Sequence, residues 1–310
     1  MVKNFRIYKN FNLSKKDKEA IILIGNFDGL HRGHQKLFNK AKNFKKKFKL
    51  RIGVITFDPI PKMFFKKLHN YRLSNFDQKI QLFKKNYVDF IVNQKFDIKF
   101  SKISCFDFIK KILFNKIKPK YIFVSDNFRF GYKRAGDIKL LKSLEKDYGY
   151  KIINPSPLKS KRFVISSTLI RKNLEMGNLK KVKKFLGRNW CIEGRVEKGR
   201  QLGKKIGFPT CNIDIKNYKI PKIGVYAVKL SFKNKRKLKG IANIGYRPTF
   251  NQKKIILEVN LFNFSGNLYN KNLSIEFIEF LRGEKKFNGV LNLKKQIKED
   301  CKKARAILNE

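Results

Sequence analysis

The sequence predicts an α/β protein of two domains, an open doubly wound parallel sheet followed by a small antiparallel β-barrel with a C-terminal helix. The chain has 310 residues, which is enough for two domains that each bury a core. Apolar runs alternate with helix-like segments in the first half, whereas short alternating segments separated by turn residues fill the second half. A lysine-rich stretch at residues 180–184 lies between the halves, so we place the domains at residues 1–184 and 185–310.

The first half alternates strands and helices with short connections. Ile21–Ile24 is an apolar run of the kind expected for a strand buried on both faces. Apolar residues recur every three or four positions over residues 33–48, which predicts a helix, and residues 51–57 predict the next strand. A strand, a helix and a strand in this order predict a parallel pair, as in a Rossmann-like domain. Further strands are predicted at residues 87–92, 120–124 and 150–153, and further helices at 106–115, 138–148 and 169–176.

The second half has the pattern of an antiparallel barrel. Its segments are short, alternate between apolar and polar residues, and follow one another at regular spacing. The predicted strands are residues 190–196, 225–230, 240–244, 255–262 and 273–280, and the final helix is residues 291–308.

The chain is strongly basic, with a formal net charge of +51 from 74 lysine and arginine residues against 23 acidic ones. Such a charge favours phosphate-bearing partners, and a basic nucleic-acid-binding protein is one hypothesis. The lysines are spread from Lys3 to Lys303 without a segregated basic arm, which is typical of a compositional bias on solvated surfaces. We therefore expect small-molecule substrates rather than nucleic acid, while the sequence leaves the oligomeric state open.

The cysteines and the apolar segments predict a cytoplasmic protein. The four cysteines are far apart and include no C-x-x-C pair, so neither a zinc site nor a disulfide framework is expected. The N-terminal region has no apolar signal core, and no apolar run is long enough to cross a membrane.

Residues 25–34 (G-N-F-D-G-L-H-R-G-H) form the most informative stretch, because they hold two of the three histidines of the chain. They follow the first predicted strand at its carboxyl end, where open α/β sheets bind ligands. Glycines allow the backbone to approach a ligand, and the free amides of a helix N-terminus favour phosphate. His31 and His34, at i and i+3, lie on one helix face, where imidazolium groups would stabilise a phosphoryl group in transfer. A polar turn with two incidental histidines is the alternative.

Two further stretches have the chemistry of phosphate sites. Ser167 and Thr168 lead into a predicted helix, and Arg171 offers a bidentate phosphate donor, although a capped surface helix would look the same. In the second half, glycines at residues 199, 203 and 207 would let a loop fold over phosphates, with Thr210 and Asn212 as oxygen ligands for Mg²⁺. An ordinary glycine-rich hairpin is the alternative for the second stretch.

The histidine stretch resembles the H-x-G-H signature of the nucleotidyltransferase superfamily, and its flanks are similar to the adenylyltransferase module of bifunctional riboflavin kinase/FAD synthetases. Residues 56–61 (T-F-D-P-I-P), 126–137 and 165–171 (I-S-S-T-L-I-R) resemble further segments of that module in the expected order. The resemblance implies a flavin site with Pro59, Asn127 and Phe128. It also implies contacts to ATP phosphates from Gly25, Phe27, Asp28, Gly33, Ser167, Thr168 and Arg171.

Residues 199–212 resemble the signature of riboflavin kinase, and the similarity extends nearly to the end of the chain. It implies ATP contacts from Gly199, Gly203, Lys204 and Gly207, and Mg²⁺ binding by Thr210 and Asn212. It also implies flavin binding by Arg282 and a catalytic base at Glu258, where a kinase needs a carboxylate beside the attacking hydroxyl. Lys204 stands where the family has arginine, and Ile60 where many members have histidine.

The expected activity is therefore bifunctional: riboflavin is phosphorylated to FMN by ATP, and FMN is adenylylated by a second ATP to FAD and pyrophosphate. ATP and riboflavin or FMN are the expected substrates, and Mg²⁺ is the expected cofactor. An enzyme with only the kinase active, and a nucleic-acid-binding protein on an enzyme scaffold, remain the alternatives.

Overall fold

The computed structural model describes residues 5–198, 203, 206–232, 237–248 and 253–309, with only the backbone at residues 247–248 and 253–254. The chain divides into two compact units. The first unit comprises Met1–Leu68 and Phe76–Ser166, and the second comprises His69–Asn75 and Ser167–Glu310. The boundary at residue 184 stays a prediction from the sequence. Within the described part, no helix combines the length and the apolar character that a bilayer crossing needs.

The first unit is built on a six-stranded parallel sheet, as the sequence predicts. Its strands are β1 (Arg6–Tyr8), β2 (Ile21–Ile24), β3 (Ile52–Asp58), β4 (Phe90–Lys95), β5 (Tyr121–Phe123) and β6 (Lys151–Ile153), in the order β1-β4-β3-β2-β5-β6. β2 pairs with β3 on one side and β5 on the other, so the strand order reverses beside it. The turn after β2 therefore lies at the switch point of the sheet, where such folds bind ligands.

Helices cover both faces of this sheet. They are α1 (Arg32–Phe48), α2 (Pro61–Lys66), α3 (Phe76–Lys85), α4 (Ile98–Ser101), α5 (Cys105–Asp107), a π-helix (Phe108–Ile117), α6 (Ile138–Ser143) and α7 (Glu145–Tyr148). Alternate residues of β2 enter two separate cores: Ile22 and Ile24 pack with the π-helix, whereas Ile21 and Leu23 pack with α1. The apolar run of β2 thus fits a strand buried on both faces.

Some elements of the first unit differ from the prediction. The helix expected at 106–115 is a short α-helical turn followed by the π-helix, and the helix expected at 138–148 is two helices, α6 and α7. β1 is largely exposed and lies at the sheet edge, so it carries no apolar signal that the sequence could reveal.

The second unit contains a closed antiparallel barrel of six strands, which confirms the predicted fold. Its strands are β9 (Trp190–Glu197), β10 (Thr210–Ile213), β11 (Gly224–Ser231), β12 (Leu238–Pro248), β13 (Lys253–Leu261) and β14 (Asn272–Arg282). Two small strands, β7 (Lys159–Ser160) and β8 (Phe163–Val164), form a hairpin in the first unit. The second unit also holds the helices α8 (Ser167–Glu175), α9 (Leu179–Leu186) and α10 (Val290–Leu308). The sequence did not predict β10, because only four residues pair and two of them are polar.

The segment His69–Asn75 belongs to the second unit although it lies between α2 and α3 in sequence. Arg72 N donates a hydrogen bond to Asn217 O at 2.8 Å, and Lys219 N donates to Arg72 O at 2.7 Å. The Trp190 indole Nε1 donates to Leu73 O at 2.9 Å. These contacts join residues more than a hundred positions apart, so no local pattern predicts them.

Candidate active sites

The turn between β2 and α1 is shaped by residues in left-handed conformations. Phe27, Gly29 and Leu30 have φ values of 47°, 75° and 35°, and only one of the three is a glycine. The Phe27 ring is 3% exposed and packs edge-on against Phe38, with 5.0 Å between ring centroids. Core packing therefore holds this turn, and the phosphate contact predicted for Phe27 stays a prediction.

The two histidines of this turn form a stacked pair. Their ring centroids are 3.6 Å apart with 20° between the planes, so the prediction that they share one face is confirmed. His31 caps α1, and its Nδ1 accepts a hydrogen bond from His34 N at 3.3 Å. Because Nδ1 accepts this hydrogen bond, the His31 ring can donate from Nε2.

The electrostatics of His34 differ from the expected imidazolium. Burial, followed by the charges of His31 and Lys79, lowers the pKa of His34 well below its ordinary value of 6.5. In the absence of substrate the His34 ring is therefore neutral at pH 7. The buried atoms His34 Nδ1 and Asn26 Oδ1 have no hydrogen-bond partner within the described residues. Buried polar atoms of this kind need an explanation, and a bound ligand would supply one.

Three other predicted phosphate contacts, Gly25, Asp28 and Gly33, belong to the same turn. A Cβ at Gly33 would lie 3.0 Å from His31 Nδ1 and 3.0 Å from Ile165 O, so glycine lets the His31 ring pack here. A Cβ at Gly25 would lie 3.1 Å from the Phe27 ring. Asp28 is buried. These glycines fit the packing of the turn at least as well as the approach of a phosphate.

Two of the predicted flavin residues, Asn127 and Phe128, precede a loop that backbone hydrogen bonds close. Phe130 and Gly136 exchange backbone hydrogen bonds, and Phe128 stacks on Phe130 with 5.5 Å between ring centroids. Asn127 is exposed, and its Oδ1 accepts a hydrogen bond from Ser125 Oγ at 3.0 Å. Pro59 is half-buried at the end of β3, after a cis peptide bond from Asp58.

The predicted phosphate residues of the I-S-S-T-L-I-R segment lie at the start of α8. Ser167 is half-buried and Thr168 is exposed. The Arg171 side chain is buried: its Nε donates to Tyr71 O at 2.8 Å, and its guanidinium lies 3.7 Å from the centroid of the Tyr71 ring. Tyr71 therefore fixes the orientation of this arginine, and its role as a phosphate donor stays a prediction.

The barrel brings its predicted residues together through strand register. Asn212 on β10 lies directly opposite Glu258 on β13, and Thr210 lies opposite Asn260. Directly opposed residues of an antiparallel pair point to the same face, with Cβ atoms about 5 Å apart. The neighbouring row, with Ile213 opposite Leu257, is buried inside the barrel, so Thr210, Asn212 and Glu258 share its outer face.

Two glycines of the predicted phosphate loop, Gly203 and Gly207, lie within the described residues. A Cβ at Gly203 would lie 3.2 Å from Thr210 Oγ1 and 2.4 Å from Phe208 O, so this glycine adjoins the Thr210 hydroxyl. Gly207 has a φ of +87°, which a side chain rarely tolerates. Gly199 and Lys204 lie outside the described residues.

The row of Glu258 continues across the barrel to Arg282. Asn243 lies opposite Glu258, Val225 lies opposite Asn243, and Arg282 lies opposite Val225. Arg282 Nε and Nη2 both bond the carboxylate of buried Asp300, at 3.0 and 2.8 Å. This pair attaches α10 to the barrel, so Arg282 has a structural partner as well as its predicted flavin role.

The two halves of the chain match two different protein families. A family model described as FAD synthetase matches residues 13–169, and one described as riboflavin kinase matches residues 186–308. The proteins named bifunctional riboflavin kinase/FMN adenylyltransferase in Buchnera aphidicola (subsp. Schizaphis graminum) and Escherichia coli K12 are 39% and 35% identical to this chain. The first alignment covers 96% of this chain and 97% of that protein, and the second covers 93% of each. This chain belongs to the bifunctional riboflavin kinase/FMN adenylyltransferase family.

A solved structure agrees with the family fold. A protein of Streptococcus pneumoniae described as a macrolide-efflux protein superposes with a TM-score of 0.84 and 27% identity, over 96% of this chain and 97% of that one. Its description applies to that protein, and what the match supports here is the fold.

Two residues beside the predicted clusters were not predicted from the sequence. Asn260 is buried, lies opposite Thr210, and donates from Nδ2 to Pro209 O at 2.7 Å; its position two residues after Glu258 on the same strand could have revealed it. Lys79 is buried near His34, but one lysine carries no signal in a chain so rich in lysine.

Proposed function

We propose that the two activities of the family take place at the two clusters described above. The barrel cluster around Glu258 phosphorylates riboflavin, and the histidine pair at the switch point of the parallel sheet transfers AMP from ATP to FMN. The observation that supports the kinase site most strongly is the register that pairs Asn212 with Glu258 on one face. The substrates are small molecules, and a cytoplasmic location stays a prediction from the sequence.

In the kinase step, Glu258 takes the proton of the riboflavin 5′-hydroxyl as its oxygen attacks the γ-phosphorus of ATP. The bond from that phosphorus to the β–γ bridging oxygen breaks, and ADP leaves. Glu258 is half-buried on β13 and lies opposite Asn212, where a kinase needs a carboxylate beside the attacking hydroxyl.

Mg²⁺ fits the oxygen donors beside Glu258. No group of three or more His, Cys, Asp or Glu side chains in the described part of the chain could hold a metal ion. Thr210 and Asn212 instead supply a hydroxyl and an amide oxygen on one face, which suits an ion that takes its other ligands from ATP phosphates and water. Bound there, Mg²⁺ would neutralise charge on the transferring phosphoryl group.

In the adenylyl step, a phosphate oxygen of FMN attacks the α-phosphorus of ATP, and the bond from that phosphorus to the leaving pyrophosphate breaks. His31 donates from Nε2, and His34 lies beside it on the same helix face, where both can stabilise the charge that develops on the phosphates. Ser167, Thr168 and Arg171 remain predicted contacts to the same nucleotide.

The direct test follows the flavins over time with riboflavin, ATP and Mg²⁺. FMN should appear first and FAD second. His34→Ala should stop the sequence at FMN, and Glu258→Ala should still make FAD from added FMN. The exposed third histidine gives a matched control, since His69→Ala should behave as the unchanged protein. Loss of both steps in either folded variant would contradict the assignment of two sites.

A further inference from the structure

Lys79 is the only buried lysine among the described residues. It is 7% exposed on α3, whereas the other described lysines keep at least part of their side chains in solvent. A lysine is seldom buried because its charge is costly to remove from water. The compositional bias that explains the exposed lysines therefore does not explain this one.

Lys79 is connected by hydrogen bonds to the turn that precedes the histidine pair. Its Nζ donates to Thr56 Oγ1 at 2.9 Å, and Thr56 Oγ1 donates to Asn26 O at 3.3 Å. Thr56 is fully buried at the end of β3, so this short chain of contacts is shielded from solvent. The Thr56 hydroxyl thus donates its proton to Asn26 O and accepts a hydrogen bond from the Lys79 ammonium. These two bonds fix the backbone at Asn26.

Asn26 lies next to the residue that supports His34. The Phe27 ring packs edge-on against the His34 ring, with 5.2 Å between centroids. A shift of the backbone at Asn26 would therefore move the Phe27 ring that packs against His34, together with the backbone amides of the turn. We propose that Lys79 is a positioning residue for adenylyl transfer, which holds the turn between β2 and α1 against the His31–His34 pair through Thr56.

The charge of Lys79 gives it a second effect on the same ring. The groups that depress the pKa of His34 by their charge are His31, at the start of the same helix, and Lys79, from α3; Asp28 is the buried acid in the adjoining turn. A positive charge held near His34 disfavours a second one on the ring, so the neutral form is maintained until phosphate arrives. This inference rests on the proposed role of the histidine pair.

Four variants test the inference in the full-length protein. Lys79→Met removes the ammonium, Thr56→Val removes the hydroxyl at nearly constant volume, and Thr56→Ser keeps the hydroxyl. Lys85→Met, at an exposed position of α3, is the matched control for the charge. FAD formation from added FMN is measured for each variant, with riboflavin phosphorylation by the same chain as an internal control.

We expect Lys79→Met and Thr56→Val to lower kcat for FAD formation about tenfold to hundredfold, because small displacements of reacting groups cost rate steeply. Thr56→Ser and Lys85→Met should stay within about twofold of the unchanged protein. The three histidine ring signals, followed by NMR against pH, should show the His34 midpoint rising in Lys79→Met and unchanged in Thr56→Val. A purely structural lysine would not move that midpoint.

Two results would overturn the inference. The first is a folded Lys79→Met protein that makes FAD at an undiminished rate. The second is an equal loss of both activities, which would indicate general destabilisation. Should Lys79→Met fail to fold, the pair Thr56→Val and Thr56→Ser decides, since only the positioning role requires them to differ. The His34→Ala variant distinguishes failure of the proposed site from failure of the Lys79 inference. If His34→Ala still makes FAD, the assignment of the histidine pair to adenylyl transfer fails. If His34→Ala loses FAD formation but Lys79→Met makes FAD normally, only the role of Lys79 is refuted.

Discussion

Asn212 on β10 and Glu258 on β13 are direct cross-strand partners on the outer face of the barrel. Their Cβ atoms are therefore separated by about 5 Å, the ordinary spacing of such a pair. This places a candidate ligand of Mg²⁺ beside the candidate base for the riboflavin hydroxyl. Because backbone hydrogen bonds set the register, the pair is fixed before any substrate binds.

Replacing Asn212 with alanine should impair Mg²⁺ use by the kinase. We expect Asn212→Ala to raise the Mg²⁺ concentration for half-maximal riboflavin phosphorylation about tenfold, because one of two protein oxygens is lost. FAD formation from added FMN should not change. Asn292→Ala, at an exposed position of α10, is the control. An unchanged Mg²⁺ titration for Asn212→Ala would remove Asn212 from the metal site.

Adding one methyl group at Gly33 should damage adenylyl transfer. A Cβ there meets His31 Nδ1 and the backbone carbonyl of Ile165, each at 3.0 Å, so the His31 ring has to move. We expect kcat for FAD formation to fall about a hundredfold in Gly33→Ala, with the kinase step unaffected. Asn39→Ala, on the exposed side of the same helix, should have no effect. Equal FAD formation by both variants would show that the position of His31 does not matter.

The depressed pKa of His34 predicts how acid affects the first unit. In the unfolded chain His34 takes up a proton near pH 6.5, whereas the folded chain resists it to well below that value. Between the two values the unfolded state binds more protons, so stability falls as the pH decreases from 6.5 toward the folded pKa. Histidine NMR of the folded protein should show the His34 ring titrating well below pH 6.5. In His34→Gln, the loss of stability below pH 6.5 should be smaller.

Breaking the pair between Arg282 and Asp300 should destabilise the barrel unit. The Asp300 side chain is 2% exposed and that of Arg282 is 22% exposed, so Asp300→Ala leaves a partly buried guanidinium without its carboxylate. We expect a loss of about 3 kcal/mol in the free energy of unfolding, near the lower end for buried pairs. Trp190, the only tryptophan of the chain, lies on β9 and reports unfolding of this unit by fluorescence.

The exposed neighbour Glu299 supplies the control for that experiment, since Glu299→Gln removes a carboxylate from the same helix. Its unfolding free energy should change by less than about 0.5 kcal/mol. A similar small change in Asp300→Ala would mean that the pair does not hold α10 to the barrel.

Local sequence signals were enough to predict several elements of the fold. β2 is an apolar run, α1 repeats its apolar residues at helical spacing, and five of the six barrel strands alternate, so these elements were predicted within a few residues of their observed bounds. The spacing of His31 and His34 was enough to place both rings on one helix face. The family motifs likewise depend on residues that are close together in the chain.

The groups from distant parts of the chain that surround those residues could not be predicted from local signals. Lys79, Thr56 and His34 come from different elements, and the pKa of His34 is lowered by its own burial and then by electrostatic interactions with His31 and Lys79. Strand register placed Asn260 opposite Thr210. The ion pair between Arg282 and Asp300 forms because α10 packs against the barrel. Periodicity records which face of an element is apolar, whereas a pKa or an ion pair depends on desolvation and on charges from elsewhere in the chain. That information exists only once the chain has folded.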